Sequence, residues 1–223
     1  MPTSVDKEVG KAIRKNKEFL DGAKIDEVKS KQLNDFYREL GFDNETEVYV
    51  VHSRDFNAFA LPDNSIFVLS QVLEDLKTYP QLAALLGHEY SHIKHRHSMK
   101  MLGQALSWEL LASAFSGNSS DDFIHNANTL LSLHNSRAFE TQADQGGLGL
   151  LEQRNIDMKG MVELFEIMEN INNGKETPTY LSTHPDTKDR LDVIKLLLKE
   201  KKNNFQQNNR LDEIFKKLKS NLK

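Results

Sequence analysis

The chain begins with two stretches in which apolar residues recur at helical spacing. The first, residues 5–20, carries Val5, Val9, Ile13 and Leu20, which predict a short helix. The second runs from Ile25 to Leu40 with a stronger pattern, and Gly41 directly after it is well placed to end a helix. We therefore predict that residues 1–44 form two N-terminal helices that pack without carrying chemistry.

The pattern then changes to short runs of strand-forming residues separated by a turn. Residues 47–52, 56–61 and 65–69 are rich in Val, Ile, Phe and Tyr, which favour strands. Asp63 and Asn64 lie between the second and third runs and form a turn signal. The pattern predicts a small antiparallel sheet with a hairpin at these two residues.

The rest of the chain is helical in pattern. We predict helices over residues 81–115, 123–151 and 158–172 and from about residue 186, with polar loops at 117–122 and 172–178. Gly103 is a candidate interruption of the first of these helices, and Ser120 or Asp121 a candidate cap of the second. The fold class is therefore α+β, mainly α, with one small sheet.

The last 29 residues differ from the rest in charge. Residues 195–223 contain nine basic and three acidic residues, so they carry +6 while the first 194 residues carry −10. An apolar stripe runs through this basic segment at helical spacing, formed by Leu211, Ile214, Phe215, Leu218 and Leu222. We interpret residues 199–223 as a basic amphipathic helical tail, which predicts either a docked helix or a contact with a partner or an anionic membrane.

The composition of the 223 residues excludes several classes of protein. The absence of cysteine excludes a disulfide scaffold and thiolate metal ligands, so a bound metal must use His, Asp or Glu. A net charge of −4 does not favour nucleic-acid binding. No apolar run approaches the roughly 20 residues of a membrane helix, and no signal peptide precedes the first helix. We expect a chain that is soluble as given, a processed or truncated form of a cell-envelope or periplasmic protein, with the cytoplasm as the alternative.

Four of the eight histidines lie within ten residues, and two of them form a metal-binding motif. The sequence His88-Glu-Tyr-Ser-His92 is an H-E-x-x-H pattern inside a predicted helix, where a spacing of four puts both imidazoles on one face. Zinc suits two neutral imidazoles and one carboxylate, with a fourth position open for water, whose pKa it lowers to about 7. Glu89 follows the first ligand and is placed to take the proton of that water as general base.

A third ligand must come from another part of the fold. The best candidate is Glu140, 48 residues after His92 on a second predicted helix. Asp144 lies one turn further on the same face, where it could accept a hydrogen bond from a ligand imidazole and fix its tautomer. We predict one zinc ion per chain, bound by His88, His92 and Glu140. The other two histidines of the cluster, His95 and His97, are not four residues from His92, so we expect them to be exposed or to pack.

These motifs resemble one family of gluzincin metallopeptidases, that of the CaaX prenyl proteases, the HtpX heat-shock protease and the BepA- and Oma-type quality-control proteases. The matching segments are Asn-Ala-Phe-Ala-Leu-Pro at 57–62, the H-E-x-x-H motif at 88–92, Ser-Arg-x-x-Glu-x-x-Ala-Asp at 136–144, and Ser-Thr-His-Pro at 182–185 with Arg190 after it. They stand in the family's order and cover residues from about 45 to 198. The resemblance implies that residues 45–198 form a zincin-like metallopeptidase core.

The resemblance also implies roles for residues outside the H-E-x-x-H helix. Asn57, Ala58 and Phe59 would line the cleft and bind an extended substrate along a sheet edge through main-chain hydrogen bonds. His184 would either stabilise the oxyanion of the tetrahedral intermediate or occupy the open zinc position and keep the enzyme latent. Arg190 would support the loop that carries His184.

Two features depart from the family pattern. Family members commonly have a Gly-Gly turn where this chain has Asp63-Asn64, but Asp and Asn tolerate positive φ, so the hairpin remains possible. Membrane members of the family carry transmembrane helices around the core, and this sequence predicts none.

The main hypothesis from the sequence is a zinc-dependent endopeptidase, and the resemblance implies unfolded or damaged proteins as substrates in protein quality control. An alternative is a latent, chaperone-like protein-binding module whose zinc site is closed by His184. A weaker interpretation is a His-rich metal buffer, which predicts more than one zinc per chain and binding that survives loss of Glu140. The sequence does not decide the oligomeric state.

Overall fold

Two helices form the N-terminal part of the protein, as the apolar pattern predicts. The computed structural model describes residues 3–15, 22–105, 136–172, 183–185, 187–200 and 205–220. Helix α1 spans Ser4–Lys15 and helix α2 spans Glu27–Leu40. Asp26 begins α2 by accepting a hydrogen bond from the backbone N–H of Lys29, and Gly41 ends it in the left-handed conformation at φ 67°.

A three-stranded sheet follows, in the spatial order β1-β3-β2. Its strands are β1 (Glu47–Val51), β2 (Ala58–Leu61) and β3 (Ser65–Leu69). Strands β2 and β3 form the predicted antiparallel hairpin, with Asn64 at φ 67° in its turn. Strand β1 instead pairs with β3 in parallel, so the sheet is mixed rather than wholly antiparallel. This corrects the prediction: the chain between β1 and β2 crosses to the far side of β3, and strand composition does not encode strand order.

Seven more helices follow the sheet in the described part of the chain. They are α3 (Ser70–Asp75), α4 (Tyr79–Lys94), α5 (His97–Ala105), α6 (Arg137–Gln153), α7 (Lys159–Asn172), α8 (Thr187–Glu200) and α9 (Asn209–Lys219). The helix predicted over residues 81–115 is broken at His95 and Arg96 rather than at Gly103. The polar loop at 117–122, with the candidate caps Ser120 and Asp121, lies outside the described residues, as does most of the loop at 172–178.

Helix α4 is central to the packing. It contacts α6 most extensively and also packs against α7 and β2. Its N-terminus is held by a capping box, in which Thr78 and Gln81 each bond the other's backbone N–H. The neighbouring elements enclose α4 on most of its surface, and Leu82, Leu85 and Leu86 are fully buried. Its polar residues His88, Glu89 and His92 are buried for the same reason.

Two glycines allow α4 and α6 to approach closely. A Cβ atom built on Gly147 of α6 would lie 3.1 Å from the backbone nitrogen of His88 and 2.9 Å from Cε of Met161. On the facing helix, a Cβ atom on Gly87 would lie 3.4 Å from Cα of Gly147. Larger residues at this crossing would push the two helices apart, so the glycines set the distance between the H-E-x-x-H helix and the helix that carries Glu140.

A small apolar cluster attaches α1 to the sheet and to α5. Val9 and Ile13 of α1 pack there against Leu61, Phe67 and Leu102, apart from the main core. The N-terminal helix therefore packs against the hairpin and the segment that follows the H-E-x-x-H helix.

The C-terminal helix α9 docks on the rest of the protein. Its apolar stripe is buried, with Leu211, Ile214, Phe215 and Leu218 all in the main core. The stripe packs mainly against α2, and the side chain of Lys29 donates hydrogen bonds to the backbone carbonyls of Leu218 and Ser220. Over Asn209–Lys219 the helix is therefore docked, while Leu222, the last residue of the predicted stripe, lies outside the described residues. In the parts of the chain that the structure covers, no helix has the length and apolar character needed to cross a membrane.

Candidate metal centre

The two histidines of the H-E-x-x-H motif lie together on the buried face of α4. His88 and His92 are one turn apart, and their Nε2 atoms are 3.0 Å from each other. Both side chains are almost fully buried and point toward α6. The helical spacing thus produces the pair of imidazoles that the sequence predicts.

Helix α6 adds the two predicted carboxylates. Ser136 begins this helix by accepting a hydrogen bond from the backbone N–H of Phe139, which places Glu140 in the first turn, completely buried. The Glu140 carboxylate lies 3.5 Å from Nε2 of His88 and 3.4 Å from Nε2 of His92. One turn further, Asp144 accepts a hydrogen bond of 2.9 Å from Nδ1 of His88, as predicted for the residue that orients a ligand.

The segment around residue 184 brings a third imidazole to the same place. Nδ1 of His184 lies 3.1 Å from both carboxylate oxygens of Glu140 and 3.4 Å from Nε2 of His88. Arg190 donates hydrogen bonds of 2.7 Å to each oxygen of Asp144 and forms an ion pair of 2.6 Å with Glu140. It also donates to the backbone carbonyls of His184 and Pro185, both at 3.4 Å. Arg190 therefore contacts both carboxylates and the His184 segment.

The spacing of these donors fits a tetrahedral zinc ion. One ligand atom from each of four buried residues, His88, His92, Glu140 and His184, lies within 4.8 Å of all the others. Five of the distances between these residues fall between 3.0 and 3.5 Å. Ligands about 2.0–2.1 Å from a tetrahedral ion lie about 3.3 Å from one another. Three imidazoles and a carboxylate are also the ligand types that zinc prefers.

The carboxyl group of Glu89 supplies a second sign that the site is built for a cation. Glu89 is almost fully buried, and its Oε1 has no hydrogen-bond partner among the described residues. Nε2 of His184 lies 3.8 Å from this oxygen. A buried carboxylate oxygen without a partner is costly. A water molecule on a bound metal would supply the missing hydrogen-bond partner of this oxygen. The residues of the site therefore fit a bound metal ion with a water molecule next to Glu89.

The electrostatics of the site are dominated by burial and by the carboxylates. Burial alone would lower the pKa of His88, but hydrogen bonds to Asp144 and Glu140 outweigh it and raise this pKa to about 10. Burial lowers the pKa of His92 and raises that of Glu89. Burial would likewise raise the pKa of Glu140, but the neighbouring histidines hold it well below its usual range. The site therefore keeps the carboxyl group of Glu140 ionised and makes that of Glu89 more basic than an exposed glutamate.

His97 lies beside the site and packs on Phe139, and packing is one of the two roles predicted for it from the sequence. His97 is completely buried, its Nδ1 lies 2.9 Å from Nδ1 of His92, and its Nε2 lies 2.9 Å from Oε1 of Gln142. Burial lowers the pKa of His97 to about 4, so it is neutral at physiological pH. A role in packing alone does not describe these contacts. His95 is partly exposed and stacks on His97, with ring centroids 5.5 Å apart.

The strand predicted to bind substrate borders the site. Asn57 and Ala58 are buried, and Phe59 stacks on Phe67 with ring centroids 5.3 Å apart. The backbone N–H of Leu69 in β3 donates to the carbonyl of Asn57. In an antiparallel pair, alternate residues bond to the partner strand, so the N–H and C=O groups of Ala58 and Ala60 point away from β3, to the outer edge of the sheet. The carbonyl of Ala60 accepts a hydrogen bond of 3.2 Å from Ser98 of α5. Part of the predicted substrate edge is thus covered by α5.

The arrangement of two helices that supply two histidines, a glutamate ligand and an orienting aspartate is that of the gluzincin class of metallopeptidases. Residues 24–197 match the sequence model of Peptidase family M48. Because this match covers most of the chain, the chain belongs to that family.

Several proteins similar to this chain are named as metalloproteases. The mitochondrial metalloendopeptidase OMA1 of Schizosaccharomyces pombe is 35% identical over 159 residues, which cover 69% of this chain and 47% of that protein. The Arabidopsis thaliana protein of the same name is 32% identical over 149 residues, or 66% of this chain and 30% of that protein. The metalloprotease LoiP of Escherichia coli is 28% identical over 153 residues, which cover 66% and 60%. The chain therefore spans less than two thirds of the length of each of these relatives.

Proposed function

We propose that this protein is a zinc-dependent endopeptidase that hydrolyses peptide bonds. The observation that carries the proposal is the convergence of four buried donor atoms beside the carboxyl group of Glu89. Family membership supports the same chemistry. The residues that would hold zinc in the active enzyme are His88, His92 and Glu140, which leaves the fourth position for water.

In the proposed reaction, some side chains bind or position the metal ligands, and Glu89 transfers the proton. When bound, zinc acts as a Lewis acid that polarises the peptide carbonyl and acidifies water. Glu89 takes a proton from the attacking water and then gives it to the amine that leaves. Burial raises the pKa of Glu89, which brings its basicity closer to that of a group able to accept and release a proton near neutral pH. Asp144 and Arg190 hold His88 and Glu140 in place.

The variant Glu89→Gln tests the mechanism. Glutamine keeps the size of the side chain but cannot take the proton, so cleavage of casein should fall by at least about 100-fold. Zinc content, measured by elemental analysis, should stay at one ion per chain because Glu89 is not a proposed ligand. Full proteolytic activity in this variant would exclude Glu89 as the base.

The position of His184 supports a second candidate state, a latent protein whose zinc site is closed. Its Nδ1 lies among the donors of His88 and Glu140, where it would fill the position that water and substrate need. In this state the protein would bind unfolded chains without cleaving them. Opening would require His184 to move away from Glu140, after which its imidazole could stabilise the oxyanion instead.

The variant His184→Ala separates these two roles. If His184 closes the site, the variant should cleave casein faster than the wild type, because the fourth position is then free for water. If His184 stabilises the oxyanion, the variant should be slower, by about 10- to 1,000-fold. An unchanged rate would show that His184 does neither.

A stoichiometry measurement separates the endopeptidase from a metal buffer. The endopeptidase binds one zinc per chain and loses most of its affinity in Glu140→Ala. A buffer binds several ions and is insensitive to that substitution. Within the described residues, one group of side chains has the geometry for a metal, which favours the first outcome.

We further propose that the substrates are extended or unfolded polypeptides that pair with the outer edge of β2. The outward backbone groups of Ala58, next to the buried Asn57, support this because main-chain pairing is tolerant of side chains. Phe59 would contribute to the wall of the cleft. Cleavage of casein but not of a folded globular protein would agree with this proposal, and equal cleavage of both would contradict it.

We also propose a domain organisation for the chain and a cellular compartment for the protein. Residues 45–198 would be the catalytic core, flanked by the helices of residues 1–44 and the tail of residues 199–223. We propose the cell envelope or periplasm as the compartment, as a processed or truncated form, with the cytoplasm as the alternative. Cell fractionation followed by immunodetection of the protein would decide between them.

A further inference from the structure

We propose that His97, oriented by Gln142, is a positioning residue that holds the zinc ligand His92 in the tautomer that binds metal. The proposal rests on the proposed zinc site. It assigns to a histidine outside the H-E-x-x-H motif a role in metal affinity rather than in metal coordination.

The direction of the hydrogen bonds follows from the chemistry of the three side chains. The amide oxygen of Gln142 can only accept, so Nε2 of His97, 2.9 Å away, carries the proton and donates it. A neutral imidazole with a proton on Nε2 has a lone pair on Nδ1. That lone pair faces Nδ1 of His92 at 2.9 Å, so the proton in this second bond belongs to His92. His92 then has its free lone pair on Nε2, the atom that faces the other metal donors.

The ring of His97 is held by stacking as well as by hydrogen bonds. It lies nearly parallel to the ring of Phe139, with an interplanar angle of 8° and centroids 4.3 Å apart. His95 stacks on the same imidazole at 5.5 Å. His97 is completely buried. Such a ring is pre-oriented, so it can fix the orientation of His92 at little entropic cost.

The backbone brings His97 to this position by leaving the helix. In one continuous helix, residues five apart would point about 140° away from each other. Here α4 ends at Lys94 with His95 as its C-cap, and Arg96 adopts a left-handed conformation at φ 55° before α5 begins at His97. The guanidinium of Arg96 is bound by Asp6 of α1 at 2.7 Å. This turn allows the side chain of His97 to return toward His92.

The two histidine ligands therefore have different supports. His88 donates to the carboxylate of Asp144, which Arg190 neutralises. His92 donates to the neutral imidazole of His97, which in turn donates to the amide oxygen of Gln142 on the partly accessible surface of α6. Residues that orient a metal ligand in this way contribute about 10- to 100-fold in metal affinity.

The experiment compares zinc binding by metal-free wild type, His97→Asn and His97→Leu, using competition with a chromophoric chelator. The oxygen of asparagine lies the same number of bonds from Cα as Nδ1 of histidine, so His97→Asn keeps the acceptor while His97→Leu removes it. We expect affinity to fall about 10- to 100-fold in His97→Leu and to be largely restored in His97→Asn. Long-range nitrogen–proton NMR of the zinc-loaded protein should show His92 with its proton on Nδ1 in wild type and His97→Asn.

A second pair of variants covers the case in which His97→Leu does not fold. Gln142→Leu removes the acceptor behind His97, and Gln145→Leu makes the same change at another exposed glutamine of α6. We expect the first to weaken zinc binding at least threefold relative to the second. Equal zinc affinities in this pair, or in wild type and a folded His97→Leu, would overturn the inference. Failure of the proposed function is distinguishable, because the wild type itself would then bind no zinc or leave casein intact.

Discussion

At the residue scale, Arg190 is the side chain on which the buried charges depend. Its guanidinium contacts both Glu140 and Asp144, at 2.6 and 2.7 Å, and lies 4.9 Å above the ring of Phe165. Two carboxylates in this interior need a cation to stay ionised in the metal-free protein. From the sequence, Arg190 is predicted to stand with Asp144 behind the metal ligands and to support its loop. Its particular contacts with α6 depend on the three-dimensional packing, which the sequence pattern does not encode.

Replacing Arg190 by methionine should therefore destabilise the metal-free protein strongly. We expect the free energy of unfolding to fall by about 3–5 kcal/mol, because two buried carboxylates lose their partner. Urea denaturation in the presence of a chelator measures this change. The matched control is Arg210→Met, since Arg210 is exposed and pairs with Glu213 at the surface, and its effect should stay within about 0.5 kcal/mol. Equal effects in both variants would contradict the assigned role of Arg190.

Asp43 is a second carboxylate that its neighbours keep ionised, at a half-exposed site, and it makes the stability of the protein depend on pH. Burial alone would raise its pKa, but hydrogen bonds from the hydroxyl of Tyr37 and from Thr46 outweigh burial and lower it. A carboxyl group with a lowered native pKa contributes stability in full above its unfolded value of 3.8. This contribution is lost as the pH falls through the lower native pKa.

The variant Asp43→Asn tests this contribution. We expect it to lose about 0.5–1.5 kcal/mol at pH 7, with the loss shrinking toward pH 3, because the carboxyl group of the unfolded wild type takes up a proton below 3.8. Urea midpoints at the two pH values measure the difference. Asp35→Asn, at an exposed position of α2, is the control. A loss that is the same at pH 7 and pH 3 would show that the charge is not responsible.

At the scale of elements, the crossing of α4 and α6 sets the geometry of the metal centre. Gly147→Val should push the helices apart, because even a Cβ atom would approach the backbone of His88 to 3.1 Å. We expect a loss of about 1–3 kcal/mol in stability and weaker zinc binding, as measured by thermal unfolding and chelator competition. Gly149→Ala is the control: a Cβ there meets nothing within 4 Å, so helix propensity should make it neutral or slightly stabilising. Wild-type zinc affinity in Gly147→Val would show that the crossing does not set the site.

The elements also show which parts of the structure could be predicted from the sequence. His88, His92, Glu140 and Asp144 were predicted because each pair lies four residues apart on one helix, and helical geometry alone places them on one face. The contact of His97 with His92 was not predicted because it depends on the left-handed turn at Arg96, which leaves no period in the sequence. The parallel pairing of β1 with β3 was missed because strand order is a property of the whole sheet.

At the scale of the whole molecule, α9 connects the C-terminal basic segment to the N-terminal part of the fold. Leu218 is fully buried in the core, so Leu218→Ala should reduce the free energy of unfolding by about 2–5 kcal/mol through lost burial and the cavity left behind. Urea denaturation measures this change. Leu196→Ala on the exposed side of α8 is the control and should change stability by less than about 0.5 kcal/mol. A similarly small effect at Leu218 would mean that α9 is not docked in solution.

The hydrogen bond from Ser98 to Ala60 has a consequence for how copies of the protein behave in solution. Strand β2 is at the edge of the sheet, and an uncovered edge strand is a template on which a second copy can add a strand and begin to aggregate. By occupying an outward carbonyl of this strand, α5 makes such pairing less favourable. The same short helix that follows the H-E-x-x-H motif therefore also protects the protein against self-association at the sheet edge.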